Sequence, residues 1–181
     1  MNEKTLLPGN RECSHKFRTM PIKYPRCGRF VTPIKDIICY PLNIKHISQC
    51  IENFHHLFFT LAPDDKYIKY TMDKAMYLVD ETGLAQYNTL KERGFYNNIM
   101  GTSAVFSIYC DSINFDPQKM EFKYYGRQRI ERRTSILTRE LVTAGQLKRV
   151  PRTDNNPHGL LIVNWRTLLN KDIEQKTKNN Y

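Results

Sequence analysis

The chain has 181 residues, 40% of them hydrophobic and 12% aromatic, which suffices for one globular domain burying about two-thirds of its unfolded surface and excludes disorder throughout. Its 28 Lys and Arg against 18 Asp and Glu give a formal charge of +10, which favours attraction to anionic surfaces but says nothing about fold. No uncharged apolar run approaches the roughly 18 to 20 residues of a membrane-spanning helix, and the stretch from Met1 to Asn10 lacks the apolar core of a secretory signal, so neither a span nor a signal peptide is expected.

Residues 1–43 hold Pro8, Pro21, Pro25, Pro33 and Pro41, and each proline removes a backbone donor and disfavours helix at the residue before it. The segment reads as an irregular basic arm, disordered or ordered only on a partner. From Ile44 the pattern changes. Ile44, Ile47, Ile51, Phe54, Phe58 and Leu61 recur at steps of three and four, the stripe of a core-facing helix. Pro63 with Asp64 and Asp65 marks a second helix start, because the carboxylates favour its positive end, and Ile68, Met72, Ala75, Met76 and Val79 supply its apolar side. A weaker third helix is expected from about Gly83 to Arg93 on Leu84, Tyr87 and Leu90, ending at Gly94, with Phe95 and Tyr96 folding back onto the core.

After Gly101 the period drops to two. Met120, Phe122, Tyr124 and Ile130 alternate with Glu121, Lys123, Arg127, Arg129 and Glu131, the pattern of a strand with one wet face. Strands are also expected over 105–115, 135–150 and 159–169. Helices followed by a run of strands predict an α+β domain in which three N-terminal helices pack on a strongly curved, four-stranded antiparallel sheet. The divisions are the arm at 1–43, the domain at 44–172 and a polar tail at 173–181.

Charge concentrates in residues 1–45 and 121–152, each with nine basic and three acidic side chains. The second region reads as a solvated strand face; phosphate or lipid binding would need its cations to converge, so nucleic acid is a partner allowed but not favoured. Cys13, Cys27, Cys39, Cys50 and Cys110 are odd in number and form no Cys-x-x-Cys pair, so no metal or redox site is written, and Cys110 is expected as a small buried hydrophobe. Adjacent His55 and His56 point apart on a helix, which suits a solvated or interface role. Asp64-Asp65 fits a helix start and Asp80-Glu81 a helix end or loop. No nucleophile elbow, Walker A loop or Gly-rich dinucleotide turn is present, and no cofactor is called for.

The segment Asp154-Asn155-Asn156-Pro157-His158-Gly159 is the most informative. Pro157 fixes one backbone angle and Gly159 permits a positive one, so the loop between the last two strands can present a stiff shape, either as a plain connection or as a contact surface.

Three segments in order, Phe54-His55-His56-Leu57-Phe58-Phe59-Thr60-Leu61-Ala62-Pro63-Asp64, Gly94-Phe95-Tyr96-Asn97 and Asp154 to Gly159, carry a likeness. From about Ile51 to Asp172 the chain resembles the TraK proteins of Bacteroides-type conjugative transposons, relatives of the VirB-family inner-membrane scaffold of type IV secretion. The resemblance implies a cystatin-like, nuclear-transport-factor-like cone at the periplasmic face of the bacterial inner membrane. It also implies assembly rather than catalysis: self-association, with a dimer as one form, and contacts with other secretion subunits during DNA transfer. The family's Asn-Pro-x-Gly element, which shapes a surface used in subunit association, falls on Asn156, Pro157 and Gly159, with Asn155 beside it and His158 at the variable position. Family members carry a membrane helix upstream, whereas residues 1–43 are unlike one, so the expectation is a chain without that anchor. The reading from another class is a small-molecule enzyme or binder, since a cone of this type can hold a ligand pocket. A cavity with converging acids and bases would favour that; an interior filled by Phe, Met, Leu and Tyr would favour the scaffold.

Overall fold

A computed structural model describes residues 43–178. The arm expected over 1–43, with Cys13, Cys27 and Cys39, lies outside the described residues except for Asn43, whose side chain accepts from Lys45 N at 3.0 Å and caps the first helix. Four helices precede four strands: α1 Ile44–Phe59, α2 Asp65–Met76, α3 Glu81–Glu92, α4 Phe95–Thr102, then β1 Val105–Asp116, β2 Glu121–Glu131, β3 Ser135–Arg149 and β4 Leu160–Thr177. The strands form one antiparallel sheet in the order β1-β2-β3-β4, so every neighbour in space is a neighbour in sequence. The fold is the expected α+β cone.

The α1 stripe buries Ile47, Ile51, Phe54 and Phe58, while Ile44 stands exposed in the first turn. Leu61 lies beyond the helix and bridges to β1 through paired backbone bonds with Phe106 of 2.8 and 3.0 Å. Asp64 caps α2 by accepting from Tyr67 N at 2.9 Å, and Ile68, Met72 and Ala75 point inward. Asp80, expected at a helix end or in a loop, instead caps the start of α3 through Thr82. Gly94 takes the left-handed conformation at φ 69°. That turn opens a fourth helix rather than a simple return: α4 carries Phe95 and Tyr96 half-buried against the core and ends at Ser103.

The sheet departs from simple alternation in two places. Residues 141–145 of β3 are buried in succession, although β3 pairs with β2 there in unbroken register. β4 continues past Leu169, where apolar alternation stops, and pairs with β3 as far as Thr177 opposite Ser135. The segment expected as a polar tail from 173 is therefore strand through Thr177. Pairing with β3 supplies backbone partners that no side-chain pattern announces.

The core centres on a residue expected at the surface. His55 is fully buried, stacked on Tyr124 of β2 with ring centroids 3.7 Å apart and planes within 8°. Its Nδ1 lies 2.7 Å from Ile51 O, a pure acceptor, so the proton sits there; Nε2, 2.6 Å from Thr143 Oγ1, then accepts from that hydroxyl. Phe54, Phe58 and Trp165 close the aromatic cluster, with Trp165 edge-on to Phe54 at 5.1 Å. The expectation of a buried Cys110 fails as well. Cys110 on β1 is exposed, and Cys50 is the buried thiol, directed at Leu160 O and pushed up to about 12 by burial.

Burial pushes the His55 pKa down to about 3 from an ordinary 6.5, outweighing the backbone bond to Ile51 that raises it. The unfolded chain takes up this proton first as the pH falls. The contribution of neutral His55 to stability is complete above pH 6.5 and is lost between 6.5 and 3, at about 1.4 kcal/mol per pH unit. We expect His55→Phe to be less stable at neutral pH by about 1–3 kcal/mol, yet to lose stability less steeply on acidification. Urea midpoints of both proteins measured across the acid range check this; parallel curves would contradict it.

Candidate interaction surface

The connection between β3 and β4 is a built loop. Thr153 and Asn156 exchange backbone bonds of 3.0 and 3.1 Å across a tight turn, and Val150 N donates to Gly159 O at 3.0 Å to close the base. Asn156 is buried and its amide is fully used: Nδ2 donates to Tyr77 O at 3.2 Å and Leu160 O at 2.9 Å, while Oδ1 accepts from Gly159 N at 3.1 Å. One side chain thus ties together the loop, the end of α2 and the start of β4. Gly159 sits at φ 63°, and a Cβ there would lie 3.1 Å from Val150 O and 2.8 Å from Arg152 Cγ. Both its backbone angle and its surroundings demand glycine.

The four residues singled out from sequence therefore divide. Asn156 and Gly159 are buried and give the loop its shape; Asn155 and Pro157 are exposed and form its outer face. His158 lies between, its carbonyl accepting from His46 Nε2 at 3.1 Å and its ring 4.8 Å from the His46 ring on α1. Burial lowers the His158 pKa, with His46 and Arg152 adding to the effect, so the ring is neutral at pH 7.

The sequence reading missed what surrounds the loop. Lys74 Nζ donates to Asn155 Oδ1 at 2.9 Å and stands 6.0 Å from the centre of the Tyr70 ring. Tyr70 is 61% exposed and Tyr77, also exposed, adjoins the Asn156 anchor. Tyr70, Lys74 and Tyr77 fall at steps of four and three along α2, and that spacing, opposite the Ile68-Met72-Ala75 stripe, was the available signal. The result is a continuous outer face of two tyrosines, a lysine, an asparagine and a proline, the amphipathic ring and amide chemistry common at protein contacts.

Elsewhere the cone interior is filled by Phe54, Phe58, Met72, Tyr124 and Trp165. A groove of about 370 Å³ opens between the end of α1, α3, α4 and the sheet, and none of its lining residues is Asp, Glu or His. Tyr96 lines it; burial raises its pKa, and its hydroxyl, directed at Met72 Sδ, stays protonated. No acid and base converge there. Cys110 faces a separate cleft with Glu52 and Tyr124, and burial followed by the Glu52 charge raises its pKa, the reverse of what activates a thiol. The basic strands are neutralised in part: Arg127 holds Asp111 at 2.6 Å and Arg139 holds Asp172 at 2.6 Å across the sheet, and Arg129 pairs with Glu131 along its own strand. Among the described residues no helix is long and apolar enough to cross a membrane.

The sequence matches no protein-family model and no curated protein. Solved structures do match the fold. The VirB8 protein of Agrobacterium tumefaciens aligns with a TM-score of 0.57 at 7% identity, covering 76% of this chain and 94% of that one. The TraE protein in complex with 2-(2-furyl)isonicotinic acid aligns at 0.59 and 9%, covering 69% and 96%. The soluble domain of TrwG of the type IV secretion machinery of Bartonella grahamii aligns at 0.57 and 11%, covering 73% and 96%. At these identities the likeness establishes a common fold, with each neighbour domain covered almost end to end.

Asn156→Ala would leave the carbonyl of Tyr77 without a partner and remove one partner each from the Leu160 carbonyl and the Gly159 amide, a loss of about 1–3 kcal/mol. The expected result is faster amide exchange at Val150 and Gly159 with β1 amides unchanged, read by hydrogen-exchange NMR. Unaltered exchange at Gly159 would contradict the anchoring role.

Proposed function

We propose that the chain is a non-enzymatic assembly subunit of a conjugative type IV secretion channel, of the TraK type, acting at the periplasmic face of the inner membrane. It associates with itself and with other channel subunits during DNA transfer. The observation that carries this reading is the near-complete coverage of secretion-machinery domains by one uninterrupted α+β fold. Two features of the molecule support it. The interior is packed with aromatic side chains, and His55, at its centre, is committed to stacking on Tyr124 and to internal hydrogen bonds with Ile51 and Thr143. The loop at 153–159 is held rigid from inside by Asn156 and offers Asn155 and Pro157 outward beside Tyr70, Lys74 and Tyr77, so docking costs little additional order.

Under this reading the exposed members of the loop carry the contact and the buried members carry only its shape. Asn155→Lys and Pro157→Glu should weaken self-association at least about tenfold while leaving the melting temperature near that of the unaltered protein. Sedimentation of the full chain across a concentration series measures this. A concentration-dependent assembly untouched by both substitutions would place the interface elsewhere.

A further inference from the structure

One residue of the β3–β4 loop, His158, neither anchors it from inside nor faces fully outward. It stands half-buried between the exposed Pro157 and the buried Gly159. Its carbonyl accepts from His46 Nε2 in the first turn of α1 at 3.1 Å, and the two rings meet at a centroid distance of 4.8 Å with their planes tilted by 55°. A carbonyl only accepts, so His46 carries its hydrogen on Nε2 and keeps it there when the ring takes up a second proton. This contact ties the loop to α1.

The place suits a neutral His158 ring and no other. Its Nδ1 is buried and has no hydrogen-bond partner. An imidazolium carries a hydrogen on both nitrogens, so in this position it would hold a buried N–H with nothing to accept it. The surrounding charges work in the same direction. His46 acts on the ring from α1 and Arg152, whose side chain packs against Gly159, acts on it from the loop, and both disfavour a second cation. The other groups nearby offer no compensation. On α1, Lys45 is exposed and Cys50 is a protonated thiol directed at Leu160 O. On α2, Lys74 is bound to Asn155, and Tyr77 gives its carbonyl to Asn156. Asp154, the one carboxylate of the loop, is exposed and is not among the charges that act on the ring.

We propose that His158 is an acid-released latch between the β3–β4 loop and α1: the neutral ring stays against His46, and the protonated ring leaves it for solvent and frees the loop from the helix. A released ring titrates at the ordinary 6.5. While the held ring stays neutral, each pH unit below that value favours release about tenfold. The closed latch is therefore fully stable above pH 6.5 and loses stability as the pH falls below it. The device adds regulation to the contact surface proposed above, and only its effect on association rests on that reading. A loop that holds its shape at neutral pH and relaxes in acid makes docking through Asn155 and Pro157 pH-dependent.

The test follows the full chain by NMR from about pH 7.5 to about pH 5. Two variants accompany it: His158→Phe keeps a ring without a titrating nitrogen, and His46→Gln keeps a donor for the His158 carbonyl without a second imidazole. In the unaltered protein, nuclear Overhauser contacts between the two histidine rings should vanish on acidification, and protection of the Gly159 amide should fall at least about threefold relative to amides of β2. In His158→Phe that protection should hold, and in His46→Gln it should fall by less. His55 is present in all three proteins, so any acid loss it causes is common to them. Ring contacts that persist at the acid end with His158 protonated, or an equal loss of Gly159 protection in His158→Phe, would overturn the latch. Sedimentation at both ends of the range separates the two readings. Self-association that weakens in acid, and does not in His158→Phe, supports both; a latch that opens while self-association is unchanged stands by itself and moves the interface away from the loop.

Discussion

The domain depends on a neutral imidazole in a place where a charged one would not be tolerated. His55 joins three elements: its own helix through the Ile51 carbonyl, β3 through Thr143 and β2 through the face of Tyr124. A helix laid on a sheet by aliphatic contacts alone can slide by one ridge at small cost. Two hydrogen bonds of fixed direction and one stack remove that freedom, since an unsatisfied ring nitrogen at zero exposure would cost more than the packing gains. The register of α1 on the sheet follows, and with it the position of Phe54 and Phe58 against Trp165.

From that seating the two ends of the cone acquire different characters. At the end where α1 begins, His46 meets the β3–β4 loop, and Asn156 binds that loop to α2, so three separate stretches of chain form one firm surface. At the other end α1 gives way to Leu61 and its bridge to β1, while α3 and α4 stand away from the sheet far enough to leave a groove. The aromatic centre lies between them.

Much of this was legible in the chain because it follows from local rules. The step of three and four in α1, the Asp64 cap, the left-handed Gly94 and Gly159, and the alternation in β2 each reflect a constraint acting over a few residues. What escaped was decided at long range. His55 looks like a surface residue until Thr143, far along the chain, supplies its partner. Cys50 and Cys110 are indistinguishable by composition, and only the fold over Leu160 buries the first. The outer part of β4 has no strand pattern because both its faces are wet, and pairing with β3 alone makes it a strand. At the loop, sequence singled out four residues without sorting the inward pair from the outward pair, since an asparagine amide serves equally well as an anchor or as a contact.

That sorting has a consequence for how such a surface changes over time. The geometry of the loop is written in Asn156 and Gly159, and its visible chemistry in Asn155, Pro157 and, across the way, Tyr70, Lys74 and Tyr77. Outer residues can therefore be exchanged without moving the peptide backbone beneath them. A lineage of such domains is free to change its outward chemistry one letter at a time, keeping the mould and recasting only its glaze.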